Sequence, residues 1–254
     1  KQPLKGRTIV VTRAENQAST LSSELAELGA TVVDFPTIVV NPVSPESPVE
    51  GEGVYDWLIF TSANGVNHFV TALEAGGRDL VEFRAAAFCA IGPATAAALR
   101  TQKVPITLTP QKYVAESILE GLRTLENDLT GKRILMPRGN MARPALPEAL
   151  RGAGAEVTEC VVYETVMPKI APGAVEAMMT TKPDLVTFTS SSTARNFATV
   201  VGEAGLKRLK ENTRFASIGP ITTATATELG IEIAIEPEQH EVPELIYAIV
   251  EGSV

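Results

Sequence analysis

Short runs of β-branched and other apolar residues alternate along the chain with longer stretches in which apolar residues recur at helical spacing. Between Asn16 and Leu28, the leucines Leu21, Leu25 and Leu28 follow the i, i+4, i+7 spacing of one helix face. Gly29 follows them as a C-terminal stop. Alternation of short apolar strands with helices predicts doubly wound α/β layers with parallel sheets. The predicted strands are Arg7–Thr12, Thr31–Phe35, Trp57–Phe60, Ala87–Ile91, Ile106–Leu108, Arg133–Met136, Glu156–Val162, Leu185–Phe188, Phe215–Ile218 and Ile231–Ile235.

The same pattern occurs twice. Phe60-Thr61-Ser62 returns as Phe188-Thr189-Ser190, an offset of 128 residues. FCAIGPATAAALR, from Phe88, returns as FASIGPITTATAT, from Phe215, at an offset of 127. GRTIVVTR and GKRILMPR, which begin at residues 6 and 131, form a third pair at an offset of 125. A repeat of this length has the size of a small domain, so the chain is predicted to form two similar α/β domains.

The proline- and glycine-rich breaks lie inside the repeats, at Asn41–Gly53 and Met167–Gly173, and not between them. Such stretches mark linkers, so we predict domains that are permuted relative to the repeats. One domain would join residues 1–38 to 172–254, and the other would span 43–165, with linkers near 35–53 and 160–173. The chain crosses between the domains twice, at Phe35–Val40 and at Cys160–Val166, and these two chain crossings are expected to pair as a two-stranded β linker. Hinge motion and a ligand cleft between the domains are expected. The first strand, Arg7–Thr12, should then share a sheet with Leu185–Phe188.

Composition limits the class of protein. The chain has 254 residues, 44% of them hydrophobic and 20% charged, and a formal net charge of −8. A negative charge argues against nucleic acid and anionic membrane surfaces as partners. No apolar run reaches the roughly 20 residues that span a bilayer, and no secretory leader is expected. Cys89 and Cys160 lie in apolar runs, which predicts buried thiols and a cytoplasmic location. His68 and His240 lack ligand spacing with the cysteines, so no metal is expected.

Four strand-to-helix turns share one design. Each strand ends in small hydroxyl residues or in Gly-Pro, and a helix begins directly afterwards. Ordinary helix capping explains these residue types. The alternative is that helix amides at the carboxyl ends of parallel strands bind an anionic ligand. The candidate binding residues at these turns are Ser62, Asn64, Pro93, Thr95, Ser190, Ser191, Ser192, Pro220 and Thr222.

Three further side chains are candidates. Arg13 and Arg138 end equivalent strands, where a cation can bind a carboxylate or form a surface salt bridge. Tyr163 follows a strand at a chain crossing. Two roles are open for it: the ring packs in the core, or the hydroxyl faces the cleft and donates a proton or a hydrogen bond. Dinucleotide, P-loop and G-x-S-x-G motifs are absent. His68 is predicted to have a surface or packing role within a helix, and His240 lies in the loop before the last helix.

In their order and spacing, the segments FTSANG, AIGPATA, LMPRG, VVYET, FTSSSTARNF and SIGPITTATATELG resemble the uroporphyrinogen-III synthase family. The resemblance covers the chain from Gly6 to Ile246. It implies two flavodoxin-like domains, permuted across the repeats and joined by a two-stranded linker. It also implies a lyase that cyclises linear hydroxymethylbilane to uroporphyrinogen III, with loss of water and inversion of the terminal pyrrole ring.

The resemblance assigns roles to particular residues. Tyr163 matches the tyrosine of the family's cleft, Ser62 and Ser190 match its strand-end serines, and Thr95 and Thr222 match its helix-start threonines. No cofactor is implied. The expected partners are the tetrapyrrole substrate and, transiently, the preceding enzyme of the pathway, and the chain is expected to act as a monomer. The alternative is a non-enzymatic hinge-type protein that binds a polycarboxylate.

Overall fold

A computed structural model describes residues 2–44, 54–112 and 114–252. Most of the predicted linker at 41–53 therefore lies outside the described residues. The strands, in chain order, are β1 Thr8–Val11, β2 Thr31–Asp34, β3 Val39–Pro42, β4 Trp57–Phe60, β5 Ala87–Ala90, β6 Arg133–Gly139, β7 Glu156–Val166, β8 Leu185–Phe188 and β9 Arg214–Ser217. The helices are α1 Glu15–Glu27, α2 Ala63–Ala75, α3 Pro93–Thr101, α4 Ala115–Glu126, α5 Ala145–Gly152, α6 Ala174–Thr180, α7 Ser191–Lys210, α8 Pro220–Glu228 and α9 Val242–Glu251.

These elements form two compact units, one of Lys1–Val39 with Val166–Val254 and one of Val40–Thr165. The first unit contains a four-stranded sheet in the order β2-β1-β8-β9, in which all neighbouring strands are parallel. Ile9 pairs with Leu185 and Val10 with Val186. The first strand of the chain thus shares a sheet with Leu185–Phe188, as predicted.

Apolar side chains cover both faces of this first sheet. Ile9 and Val11 of β1 pack with α1 and α9 on one face, and Val10 packs with Phe188 and Phe197 on the other. Alternate residues of β1 therefore enter opposite cores, as expected for a parallel sheet covered on both sides. The carboxylate of Asp184 accepts a hydrogen bond from the Thr8 amide at 2.8 Å and anchors the start of β8 against β1.

The second unit has a five-stranded sheet in the order β3-β7-β6-β4-β5. All four residues of β4 are buried, and β4 pairs in parallel with both β5 and β6. Asp56 accepts from the Arg133 amide at 2.8 Å, which repeats the anchor that Asp184 makes in the first unit. β3, from the first chain crossing, pairs with β7, from the second, and the pair forms one edge of this five-stranded sheet.

The mixed α/β architecture with parallel sheets agrees with the predicted fold class, but the last predicted strand of each repeat is shorter than expected. Ile106–Leu108 contributes a single bridge from Leu108 to Cys89, and Ile231–Ile235 a single bridge from Ile235 to Ala216. Each sheet therefore ends in one isolated bridge and not in a full strand. By contrast, β7 is longer than predicted, because it continues to Val166, four residues beyond the predicted end.

Candidate functional site

Tyr163 lies near the carboxyl end of β7, where the second sheet meets the start of α2. Its hydroxyl is 3.2 Å from Ser62 Oγ, and either atom can donate. Ser62 is the N-cap of α2, and its oxygen accepts a hydrogen bond from the Gly65 amide at 3.0 Å. The predicted tyrosine and the predicted strand-end serine are therefore brought together, although 101 residues separate them.

The backbone around Tyr163 is also fixed. A register shift between Arg138 and Gly139 pairs Gly139 with Tyr163. The Asn140 amide donates to the Tyr163 carbonyl at 3.1 Å, and the Asn140 side-chain oxygen accepts from the Thr165 amide at 2.9 Å. Such a shift inserts an extra residue and re-aims the side chain beside it. The phenol therefore stands on an irregular strand segment that two hydrogen bonds to Asn140 hold in place.

His68 and Gly139 complete the surroundings of the phenol, and sequence reasoning missed both. The His68 ring lies against the Tyr163 ring, with centroids 5.3 Å apart and the planes 31° apart. Burial lowers the pKa of His68 below its ordinary value, which favours the neutral imidazole. The prediction of a packing role for His68 agrees with this contact, but its partner was not foreseen. No sequence signal links His68 to a tyrosine so far along the chain.

The second strand-to-helix turn of this unit precedes α3. Gly92 caps α3 with φ of 89°, a conformation that favours glycine, and Pro93 occupies the first helical turn. Pro93 is exposed, whereas Thr95 is buried. Asn64 lies partly exposed in the first turn of α2.

Arg138 was predicted to bind a ligand carboxylate, but the structure gives its side chain other partners. The side chain is only 5% exposed, and its Nη1 lies 2.5 Å from Glu159 Oε2. Nη2 donates to the Arg143 carbonyl at 2.6 Å, and Arg151 contacts the other oxygen of Glu159 at 2.9 Å. A buried guanidinium that already has a carboxylate partner is held as part of the fold. The salt bridge considered as the alternative is present, between a buried guanidinium and a Glu159 side chain that is 33% exposed.

In the first unit, the equivalent turns begin α7 and α8. Ser190 caps α7 reciprocally with Thr193, in a capping box with 3.2 Å contacts in both directions. Ser191 Oγ donates to the Ile221 carbonyl at 3.3 Å and accepts from Thr225 at 2.9 Å. These bonds join the starts of the two helices. Ser190, Ser191 and Ser192 are all partly exposed.

The remaining candidates of the first unit lie at the same edge of its sheet. Pro220 is exposed in the first turn of α8, and Thr222 is buried. Arg13 follows β1 directly, and burial lowers the pKa of its guanidinium below its ordinary value. His240 packs over Gly219, where an added Cβ would lie 2.7 Å from the His240 ring. His240 therefore lies beside the start of α8, a position that the sequence did not indicate.

Both cysteines are buried free thiols, as predicted, and burial raises the pKa of Cys89 to about 12 and that of Cys160 to about 11. Across residues 2–44, 54–112 and 114–252, no group of His, Cys, Asp and Glu side chains is arranged to hold a metal ion. In the same part of the chain, no helix has the length and apolarity needed to cross a membrane.

Comparison with known proteins gives a consistent result. Residues 19–247 match the family model described as Uroporphyrinogen-III synthase HemD. The uroporphyrinogen-III synthase of Synechococcus elongatus is 33% identical over 260 residues, covering 98% of this chain and 96% of the relative. That of Chlorobaculum parvum is 29% identical, covering 97% of this chain and 99% of the relative.

Two solved structures share the fold. The uroporphyrinogen-III synthetase from Helicobacter pylori superposes with a TM-score of 0.68 at 20% identity, covering 96% of this chain and 99% of that one. A mutant uroporphyrinogen III synthase from Thermus thermophilus gives a TM-score of 0.65 at 18% identity, covering 97% of this chain and 98% of that one. At these identities the likeness concerns the fold alone.

Proposed function

This chain belongs to the uroporphyrinogen-III synthase family, and we propose on that premise the roles that its residues take in the reaction. The enzyme acts in tetrapyrrole biosynthesis and cyclises linear hydroxymethylbilane to uroporphyrinogen III, with loss of water and inversion of the terminal pyrrole ring. The family match covers most of the chain, and relatives align along almost their full length. A non-enzymatic binding protein is therefore not favoured.

We assign the reaction to the hydro-lyases. The C–O bond of the terminal hydroxymethyl group breaks, and the hydroxyl leaves as water after it gains a proton. The carbon left behind bonds to the substituted α-carbon of the terminal pyrrole and forms a spiro intermediate. The bond from that α-carbon to its original methylene then breaks, and the methylene bonds to the free α-carbon of the same ring, which loses a proton. These two bond changes close the macrocycle and invert the terminal ring. Atoms and charge balance without an oxidant, a reductant or a second substrate. The main demand on the protein is to hold the chain ends in one geometry, which can supply a large part of a rate enhancement.

Tyr163 is the proposed proton donor to the leaving hydroxyl. The observation that carries this role is the contact of 3.2 Å between its hydroxyl and the capping oxygen of Ser62. A phenol can donate a hydrogen bond at neutral pH, and a Ser62 oxygen fixed as a helix cap holds the phenol in place. The side chain is partly exposed, so a ligand can reach it.

The substrate carries carboxylates, and helix N-termini bind such groups through free amides and the helix dipole. The residues proposed to form these carboxylate-binding sites within the second unit are Ser62, Asn64, Pro93 and Thr95. Those within the first unit are Arg13, Ser190, Ser191, Ser192, Pro220 and Thr222. Thr95 and Thr222 are buried, so their proposed role is to position the first turns of α3 and α8. Arg138 is left out, because Glu159 and the Arg143 carbonyl engage its guanidinium.

We further propose that the protein acts as a monomer in the cytoplasm, with substrate handed over transiently by the preceding enzyme. Two free, buried cysteines support a reducing compartment. A gel-filtration mass close to 26.9 kDa is expected at working concentration.

The Tyr163→Phe variant tests the catalytic role. The change keeps the ring and removes the donor, so formation of isomer III should slow by about 10²-fold, the low end of general-acid contributions. Freshly made hydroxymethylbilane is supplied, and isomers III and I are separated by chromatography after oxidation. Tyr247→Phe is the matched control, because Tyr247 is 63% exposed on α9 and has no proposed place in the site.

Turnover of Tyr163→Phe at the wild-type rate would reduce Tyr163 to a packing residue. Tight binding of hydroxymethylbilane without any excess of isomer III over spontaneous closure would instead support the binding-protein alternative. The two outcomes are separable, because the first concerns one variant and the second concerns the unaltered protein.

A further inference from the structure

The Tyr163 side chain is held by three residues of the second unit, two from α2 and its cap and one from β6. Ser62, the cap of α2, contacts its hydroxyl at 3.2 Å. His68, further along α2, lies against the face of its ring. Gly139, at the end of β6, lies beneath the ring edge. A tyrosine side chain rotates about two torsions, so contacts at the hydroxyl, the face and the edge leave it little freedom.

Gly139 makes room for the phenol. A Cβ at this position would lie 2.5 Å from Cε2 and Cζ of Tyr163 and 2.9 Å from its hydroxyl oxygen. Real Cβ atoms do not approach other heavy atoms so closely, so any other residue at position 139 would displace the ring. Gly139 does not have a positive φ, so backbone conformation does not require glycine here. The space that the glycine leaves is filled by the ring that carries the proposed donor.

His68 supports the ring face. The centroid distance of 5.3 Å and the interplanar angle of 31° fall within the range of favourable aromatic pairs. Ser62 caps α2 and His68 lies in its second turn, so α2 supplies both the hydroxyl contact and the ring contact. Burial lowers the pKa of His68 and favours its neutral form.

We propose that His68 and Gly139 are positioning residues that hold the phenol of Tyr163 in one orientation toward the substrate. The proposal rests on the catalytic role proposed above for Tyr163. Neither residue donates a proton in this scheme; both act through the tyrosine. Their effect should therefore fall on kcat and leave KM nearly unchanged, because misplacement of a donor weakens an interaction made only in the transition state.

A double-mutant cycle tests the proposal. His68→Ala should lower kcat by about 2- to 10-fold, the range expected for loss of one aromatic pair. His68→Phe keeps a ring at this position and should restore most of that loss. In the Tyr163→Phe background there is no hydroxyl to misplace, so His68→Ala should change kcat by less than about twofold.

Gly139→Ala provides a second arm. It should slow the enzyme to near the level of Tyr163→Phe, about 10²-fold, and should cause little further loss in the Tyr163→Phe background. Gly152→Ala is the matched control, because a Cβ at Gly152 would meet no atom within 4 Å. Circular dichroism and thermal unfolding confirm that each variant is folded. If Gly139→Ala does not fold, the His68 cycle decides alone.

Equal losses of kcat from His68→Ala in both backgrounds would overturn the proposal, and so would a His68→Phe variant as slow as His68→Ala. If one of these two results is obtained and the Tyr163→Phe variant is still slow, the positioning role fails but the catalytic role of Tyr163 stands. A Tyr163→Phe variant at the wild-type rate would overturn the catalytic role and the positioning role together. Failure of the positioning role and failure of the proposed function thus give different patterns.

Discussion

The two cysteines show, at the scale of single residues, how burial controls reactivity. Cys89 in β5 is fully buried, and Cys160 in β7 is 6% exposed. Transfer from water into an apolar core disfavours the thiolate, so the pKa of Cys89 rises to about 12 and that of Cys160 to about 11. The thiolate is the reactive form of cysteine. Both thiols are therefore expected to be inert in the folded protein.

Alkylation tests this expectation. Native protein treated with iodoacetamide at about pH 8 should remain unmodified over hours, because few thiolates form and neither sulfur is accessible. The measurement is the intact mass, followed with time. The same treatment in guanidinium chloride is the control and should add two groups per chain. Rapid addition of one group to the native protein would show that one of these strands opens locally.

At the scale of elements, α7 contains an interruption that its sequence explains. Gly202 has φ of 72° and ψ of 171°, a non-helical conformation inside the segment Ser191–Lys210. This region of conformational space is open to glycine and strongly disfavoured for residues with a Cβ. The helix is therefore two shorter helices joined at Gly202. The first carries the Ser190 cap at the candidate site, and the second ends in the basic residues Lys207, Arg208 and Lys210.

Gly202→Ala should lower the free energy of unfolding by about 1–3 kcal/mol, the usual cost of a side chain in a glycine-only conformation. Nothing lies within 4 Å of the added Cβ, so the loss would come from the backbone and not from a clash. Urea denaturation gives the comparison. Gly152→Ala, in the last turn of α5, is the control and should be neutral or stabilising by up to about 1 kcal/mol. Equal stability of Gly202→Ala and the wild type would mean that α7 can run through position 202 without a break.

At the scale of the whole molecule, the permuted chain path has a consequence for folding. The unit Val40–Thr165 is continuous, and it contains a five-stranded sheet and its own apolar cores. The other unit places β1 between β2 and β8, so its sheet needs both ends of the chain. We propose that the two units are independent folding domains, with the predicted limits 43–165 and 1–38 plus 172–254.

Fragments test the proposal of independent domains. A fragment of residues 39–166, which keeps β3 and β7 whole, should show an α/β circular dichroism spectrum and a cooperative thermal transition. Residues 166–254 alone should not fold, because they lack the strand that lies beside β8. Addition of residues 1–39 as a separate peptide should restore structure to that second fragment. An unfolded 39–166 fragment would show that the second unit depends on the rest of the chain.

The sequence by itself determined the repeat, the α/β alternation, the burial of Cys89 and Cys160 and the placement of the first strand in one sheet with Leu185–Phe188. These features follow from short-range periodicity and from the order of the motifs, and both can be read directly from the sequence. The sequence predicted full strands where the structure has isolated bridges at Leu108 and Ile235. An apolar run indicates burial, but the number of hydrogen bonds that it forms with the adjacent strand depends on the tertiary context.

Only the tertiary structure decided which groups surround the candidate residues. It placed His68 and Gly139 against Tyr163, His240 over Gly219, and Glu159 on Arg138. The contacts of Tyr163 depend on the register shift between Arg138 and Gly139 and on the positions of Ser62 and His68 at α2. Strand register and helix position arise from packing of the whole sheet. Residue types at strand ends can therefore be predicted from the sequence, whereas the partners of each side chain cannot.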